Sequence, residues 1–253
     1  VRPFSLVHFL VVFIVLGMSV VVARLCRRGL IPPLAVRIGL GSFLALCELY
    51  RYYHDGLRFP DKLPIHLCTA ATWATVAACF TLTPLAVEFV YFVGLSAASM
   101  ALLNPDLPRR VQADFWSYEC LRYVAEHGAL VIAATALVFG GIARLRPGSM
   151  WRANAMFVIF GLSIFAFNWW NGTNYMYIYR KPVNPSLLDL MGPWPIYLIW
   201  SEVVALFLSF LLWLPFRRQA RESASEDETT RRASSPKAFV EAGGKPAAIQ
   251  PET

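Results

Sequence analysis

The feature that most limits what this chain can become is a series of apolar runs. Each is close to the ~20 residues a helix needs to cross about 30 Å of hydrocarbon. About seven can be drawn, over residues 4–25, 34–53, 63–83, 85–103, 115–143, 150–175 and 196–216. Pro32-Pro33 opens the second, Pro64 is expected in the first turn of the third, and Thr83-Pro84 divides the third from the fourth. Asn104-Pro105-Asp106 closes the fourth, and Pro193-Trp194-Pro195 precedes the seventh. A chain in lipid must satisfy its own backbone polar groups, so runs of this length are read as helices. The expected fold is an all-α multipass transmembrane helical bundle over residues 1–216, with the third and fourth spans forming a tight hairpin.

Composition agrees. Hydrophobic residues make up 57% of the 253 and charged residues 15%, whereas a soluble domain carries about 25% charge. A soluble globular enzyme is excluded. The 23 Lys+Arg against 16 Asp+Glu would elsewhere suggest a nucleic-acid partner, but here they read as flanks of membrane spans. No nucleic-acid partner is expected. The first run ends in Arg24 and Arg27-Arg28 with no small-residue cleavage site, so it reads as a retained span, not a signal peptide. From Arg217 the composition turns to Ser, Glu, Ala, Gly and Pro, which cannot bury a core and predicts a disordered tail over residues 217–253. Alternating the spans puts Arg24, Arg27, Arg28, Arg37, Arg144, Arg146, Arg152 and the tail's first arginines on one side. The positive-inside rule then predicts a cell-membrane protein with its N-terminus outside and its C-terminus cytoplasmic.

The ionisable and amide side chains within spans gather at one end. His8, Glu48, Arg51, His54, His66, Cys68, Glu119, Arg122, Glu126, His127, Asn168, Asn171, Asn174 and Glu202 all fall in outer halves. A charge at mid-depth costs ~2.5–3.5 kcal/mol on insertion scales, so the cluster predicts an interior cavity. Snorkelling to headgroups is the alternative and suits Arg51 and His54. The spacing of Glu119, Arg122 and Glu126 places them on one helical face. Asn168, Asn171 and Asn174 recur every three residues, which predicts a shared face of amide donors for a carbonyl or phosphate oxygen, or else interhelical hydrogen bonds.

Cys68 and His127 are the pair best suited to nucleophilic catalysis, because a thiol needs a base within reach to act. Cys26, Cys47, Cys79 and Cys120 read as small hydrophobes. His66 lies two residues from Cys68, on nearly the opposite face, and is expected to pack against another helix or orient the site. The four His lack HxxxH or HxxE spacing and the five Cys lack a CxxC pair, so neither metal nor cofactor is expected.

Several stretches together resemble one family. Leu63-Pro64-Ile65-His66-Leu67-Cys68 resembles the LPxHLC segment of the YwaF-like integral membrane proteins, a group related to a vertebrate transmembrane phospholipid acyltransferase. Tyr91-Phe92-Val93-Gly94-Leu95 with Ala101 to Asp106, then Glu126-His127-Gly128, Asn174-Tyr175-Met176 with Lys181-Pro182, and Gly192-Pro193-Trp194-Pro195 are similar to that family's further motifs, in order. The departures are Val93 for Trp, Asn104 for Thr and Ile196 for an aromatic. The resemblance implies a helical bundle with a Cys nucleophile and a His partner, which fall on Cys68 and His127.

The leading expectation is a membrane acyltransferase or transacylase acting on glycerolipid esters through a Cys68 thioester, with His127 as base. Asn168 or Asn171 would meet the oxyanion, and headgroup phosphate would meet Arg51, Arg109 or Arg110. The alternative is a transporter or lipid-binding protein whose polar end, including Glu126, Asn174 and His66, is a binding cavity. Membrane lipids are the expected partners in both.

Overall fold

The computed structural model describes residues 5–105, 107–108, 111, 114–183 and 186–217. Among them the chain forms α1 (Leu6–Arg27), α2 (Pro33–Asp55), α3 (Leu67–Thr81), α4 (Pro84–Leu103), α5 (Tyr118–Phe139), α6 (Ser149–Asn171) and α7 (Ile196–Trp213). The described residues contain no strand, and Arg58 and Lys62 form an isolated bridge. The all-α expectation holds. Residues Val1–Leu212 form one compact unit; of the second, Trp213–Thr253, the structure describes a short turn at Leu214–Phe216. The tail from residue 218 lies outside the described residues.

Among the described residues six helices are long and apolar enough to cross a membrane. The exception is α3, whose 15 residues reach about 22 Å. Its run was expected to be helical from residue 63, with Pro64 in the first turn. The helix instead starts at Leu67, because His66 adopts an extended N-cap backbone (ψ 155°) and Leu63 and Ile65 pack onto a small cluster around Ile164, Tyr175 and Ile178. The fifth run is helical from Tyr118 to Phe139, short of residues 115 and 143 at its two ends. The sixth stops at Asn171, where Gly172 turns the chain at φ 65°.

The expected α3–α4 hairpin is present. Leu82 makes the turn with a left-handed φ of 53°. Arg37 of α2 donates to the carbonyls of Cys79 (2.7 Å) and Phe80 (3.0 Å), covering acceptors that a helix end leaves unpaired. At the far end of α4, His8 Nε2 donates to Leu102 O (2.7 Å) and Tyr123 Oη to Ala101 O (3.0 Å).

The core lies along α4 and α5. In their most apolar windows 61% and 67% of residues are buried, against 11% in α7. Mid-way, α4 relaxes into a π turn over Val90–Gly94, all buried. A side chain at Gly94 would stand 3.5 Å from Leu130 and 3.7 Å from Ala71, so α3, α4 and α5 approach closely there. The apolar faces of α1, α2, α6 and α7 are exposed, as lipid contact requires.

Opposite the polar end, Glu88 is held by two guanidinium forks. Arg146 donates from Nε (2.8 Å) and Nη2 (3.1 Å), and Arg152 from Nε (2.9 Å) and Nη2 (2.7 Å). The Glu88 side chain is 1% exposed, while those of Arg146 and Arg152 are 46% and 36% exposed. Arg146 lies in the α5–α6 connection, and Glu88 raises its guanidinium pKa above the ordinary value.

Candidate functional site

Three helices build the polar end. From α2, Arg51 donates through both Nε (3.1 Å) and Nη2 to Glu48 Oε2, and through Nη2 to Thr69 Oγ1 (3.1 Å) in the first turn of α3. That contact fixes the start of α3 beside α2. Cys68 is the second residue of α3 and is partly exposed. The His66 cap supplies no side-chain hydrogen bond to the helix, so free N–H groups of the first turn stand next to the thiol. The charges that act on Cys68 come from Glu126, Glu48 and Arg51.

From α5, Tyr118, Arg122 and Glu126 descend at four-residue steps on one face. Arg122 Nη1 donates to Glu126 Oε2 at 2.7 Å. Glu119, expected to share this face, is exposed instead. His127 lies about 13 Å along α5 from Tyr118. Its Nδ1 donates to Tyr123 O at 2.8 Å, and its ring lies 4.2 Å from that of Tyr123. Donation from Nδ1 leaves Nε2 with its lone pair free.

Tyr118 Oη, Arg122 Nε, Glu126 Oε1 and His127 Nε2 are all buried without a hydrogen-bond partner. A buried polar atom left unpaired costs about 1–3 kcal/mol, and native proteins hold few of them. Their concentration on one helix singles out this face of α5 as the candidate site. Because Nε2 has no partner, Cys68 and His127 are not hydrogen-bonded through it; the structure places them on packed neighbours, α3 and α5.

His66 is exposed and sets its ring edge-on to Tyr175, 5.0 Å away, while Met176 N donates to its Nδ1 at 3.5 Å. It packs against the loop that follows α6, where packing against another helix or orientation of the site was expected. The three asparagines do not share a helical face, because α6 ends at Asn171 and Asn174 lies in the following loop. Asn168 Nδ2 donates to Tyr175 O (3.0 Å), and its Oδ1 accepts from Thr173 Oγ1 (2.8 Å) and Tyr175 N (2.9 Å). Asn171 Nδ2 donates to Phe167 O (2.9 Å), and Asn174 spans Tyr179, Arg180 and its carbonyl. These amides fold a loop that contains two left-handed residues, Met176 (φ 58°) and Tyr177 (φ 55°). Tyr175 then ties that loop to the segment before α3, donating to Pro60 O (2.6 Å) and accepting from Leu63 N (2.8 Å).

Arg109 and Arg110 lie outside the described residues. Sequence reasoning overlooked Tyr118, since an aromatic at a span's edge reads as an interfacial anchor. Only its four-residue step to Arg122 signals a shared face. Among the described residues no group of three or more His, Cys, Asp or Glu side chains could hold a metal ion.

A sequence model of the TMEM164 family matches residues 3–213, a stretch that contains all the ordered motifs described above. No curated protein and no solved structure matches the chain.

Proposed function

The chain belongs to the TMEM164 family, a family of transmembrane proteins, and on that premise we propose that it is a membrane acyltransferase acting on glycerolipid esters. The observation that carries the reading is the buried, unpartnered Nε2 of His127, whose tautomer is set by Nδ1 donation to Tyr123 O. It supplies a base beside the helix that bears Cys68. The YwaF-like resemblance of the Leu63 to Cys68 segment supports the same pairing.

In the first half-reaction Cys68 Sγ attacks the acyl carbonyl carbon, a C–S bond forms and the ester C–O bond breaks. The thiol proton passes through His127 Nε2 to the leaving alkoxide, which departs as a lysolipid. In the second, an acceptor hydroxyl, of a lysolipid or of water, gives its proton to Nε2 and attacks the thioester, and the proton returns to sulfur. The ester would be held between α3 and α5, and the Cys68–His127 contact tightens when substrate is bound. The free N–H groups at the start of α3 take the oxyanion role expected of Asn168 and Asn171, whose amides hold their own loop. Arg122 and Arg51 offer cationic partners for a headgroup phosphate.

Charge supports a cytoplasmic C-terminus. Arg24, Arg27, Arg28, Arg37, Arg144, Arg146 and Arg152 lie at the end where α1 finishes, with Glu88 the acidic residue among the described ones there. Basic residues at the other end are offset by Glu48, Asp55, Asp61, Asp114, Glu119 and Glu126.

The test uses the purified chain in phospholipid vesicles, read by intact mass and by transfer to an added lysolipid. An acyl adduct on Cys68 is expected, lost in Cys68→Ala and formed far more slowly in His127→Ala. Full transfer by Cys68→Ala would refute the mechanism.

A further inference from the structure

Within the hydrocarbon-spanning stretches, α4, α6 and α7 enclose a groove of about 140 Å³. Val93, Ala97 and Met100 of α4 form one wall, Val204, Ala205 and Leu208 of α7 the other, and Phe157 of α6 contributes to the lining. Two of its three serine hydroxyls are turned back onto their own helices, Ser96 Oγ donating to Phe92 O and Ser201 Oγ to Tyr197 O, each at 2.7 Å, and the third, of Ser209, is taken up by Asn154. The surface offered to an occupant is therefore apolar.

Two features of the lining bear on an occupant. Asn154 Nδ2 donates to Met150 O (2.8 Å), and its Oδ1 accepts from Ser209 Oγ (3.4 Å), which ties α6 to α7 across the groove. The lining also includes Leu67, the residue that precedes Cys68. From Ser201 to Ser209 the groove follows α7 for about 12 Å. An apolar slot at membrane depth meets neither water nor polar solute, and the presence of Leu67 in its wall, one residue from Cys68, selects among apolar occupants.

We infer that this groove holds the acyl chain of the lipid whose ester Cys68 attacks. The inference rests on the acyl-transfer reading and deepens it. The carbonyl lies beside Leu67 and Cys68, the chain runs down between α4 and α7, and the Asn154–Ser209 pair limits how long a chain is accommodated.

The experiment uses the full chain in phosphatidylcholine vesicles containing a phosphatidylcholine with a diazirine in one acyl chain. Light-induced adducts are mapped by peptide mass. Labelling is expected at groove positions such as Ala97 and Leu208, falling at least fivefold in Ala205→Trp, with Ala205→Met as a milder variant and Leu211→Trp as a lipid-facing control. In the same vesicles the Cys68 adduct should shift to shorter chains in Ala205→Trp and Ala205→Met and stay unchanged in Leu211→Trp. Label confined to lipid-facing Phe207 and Leu211, or a chain-length profile unmoved by the Ala205 variants, overturns the groove assignment. Groove labelling that Ala205→Trp removes, in a protein whose Cys68 never gains an adduct, supports the groove as a lipid site and refutes the acyl-transfer reading.

Discussion

The Glu88 clamp makes a quantitative test of how the bundle is held. Glu88 is all but sealed from solvent, yet its two partners are each more than one-third exposed. Removing one arginine leaves the carboxylate with one complete bidentate fork, so the charge stays neutralised. Arg152→Ala should then cost about 1 kcal/mol, the scale of a partly exposed ion pair, and Arg146→Ala should also fall well short of the double variant. Removing both strands a buried carboxylate, which costs about 3–5 kcal/mol. At roughly 2–4 °C per kcal/mol for a chain of this size, the double variant should melt roughly 6–20 °C lower. Thermal unfolding of the four proteins in one detergent, followed by tryptophan fluorescence, reads the cycle. The double loss should exceed the sum of the singles, since the residues share one acceptor. Additive losses would refute the idea that one fork suffices.

Further outcomes follow from individual contacts. His127→Phe removes the unpartnered buried Nε2 together with the Nδ1 bond to Tyr123 O, two effects of opposite sign, so unfolding should stay within about 1 kcal/mol of the parent while acyl transfer to lysolipid falls by at least ~100-fold. A side chain at Gly41 would meet Cys79 Cβ at 2.9 Å, whereas one at Gly39 meets nothing within 4 Å. Gly41→Ala should destabilise by about 1–3 kcal/mol and Gly39→Ala stabilise slightly through helix propensity, both read by the same melts. Asn168→Ala should cost about 2–4 kcal/mol by leaving Tyr175 N and O unpaired, with increased hydrogen exchange confined to residues 172–180.

How much of this was legible depended on the range of the interaction. The spans follow from local hydropathy, which each residue carries with it. The start of α3 did not, because Leu63 and Ile65 are apolar for the sake of a cluster with Tyr175 and Ile178, not of a helix. The asparagine period was real in the sequence, but Gly172 ends the helix before the third member. Cys68 and His127 stood out by chemistry, and the motif resemblance assigned them together. That no hydrogen bond joins them at Nε2 did not show, since relative depth depends on where α5 begins. Glu88 escaped notice because its partners lie 58 and 64 residues further along the chain.

That same separation governs the order in which the protein can be made. When α4 leaves the ribosome, Glu88 has no counter-charge in the chain synthesised so far that it will keep in the finished fold. Arg146 and Arg152 arrive only with the start of α6. Until then α4 enters the bilayer as a helix with an uncompensated carboxylate, and its lasting position waits on a segment two helices later. The clamp on Glu88 therefore closes only once the start of α6 has been made, which makes it a step of assembly and not of the insertion of α4.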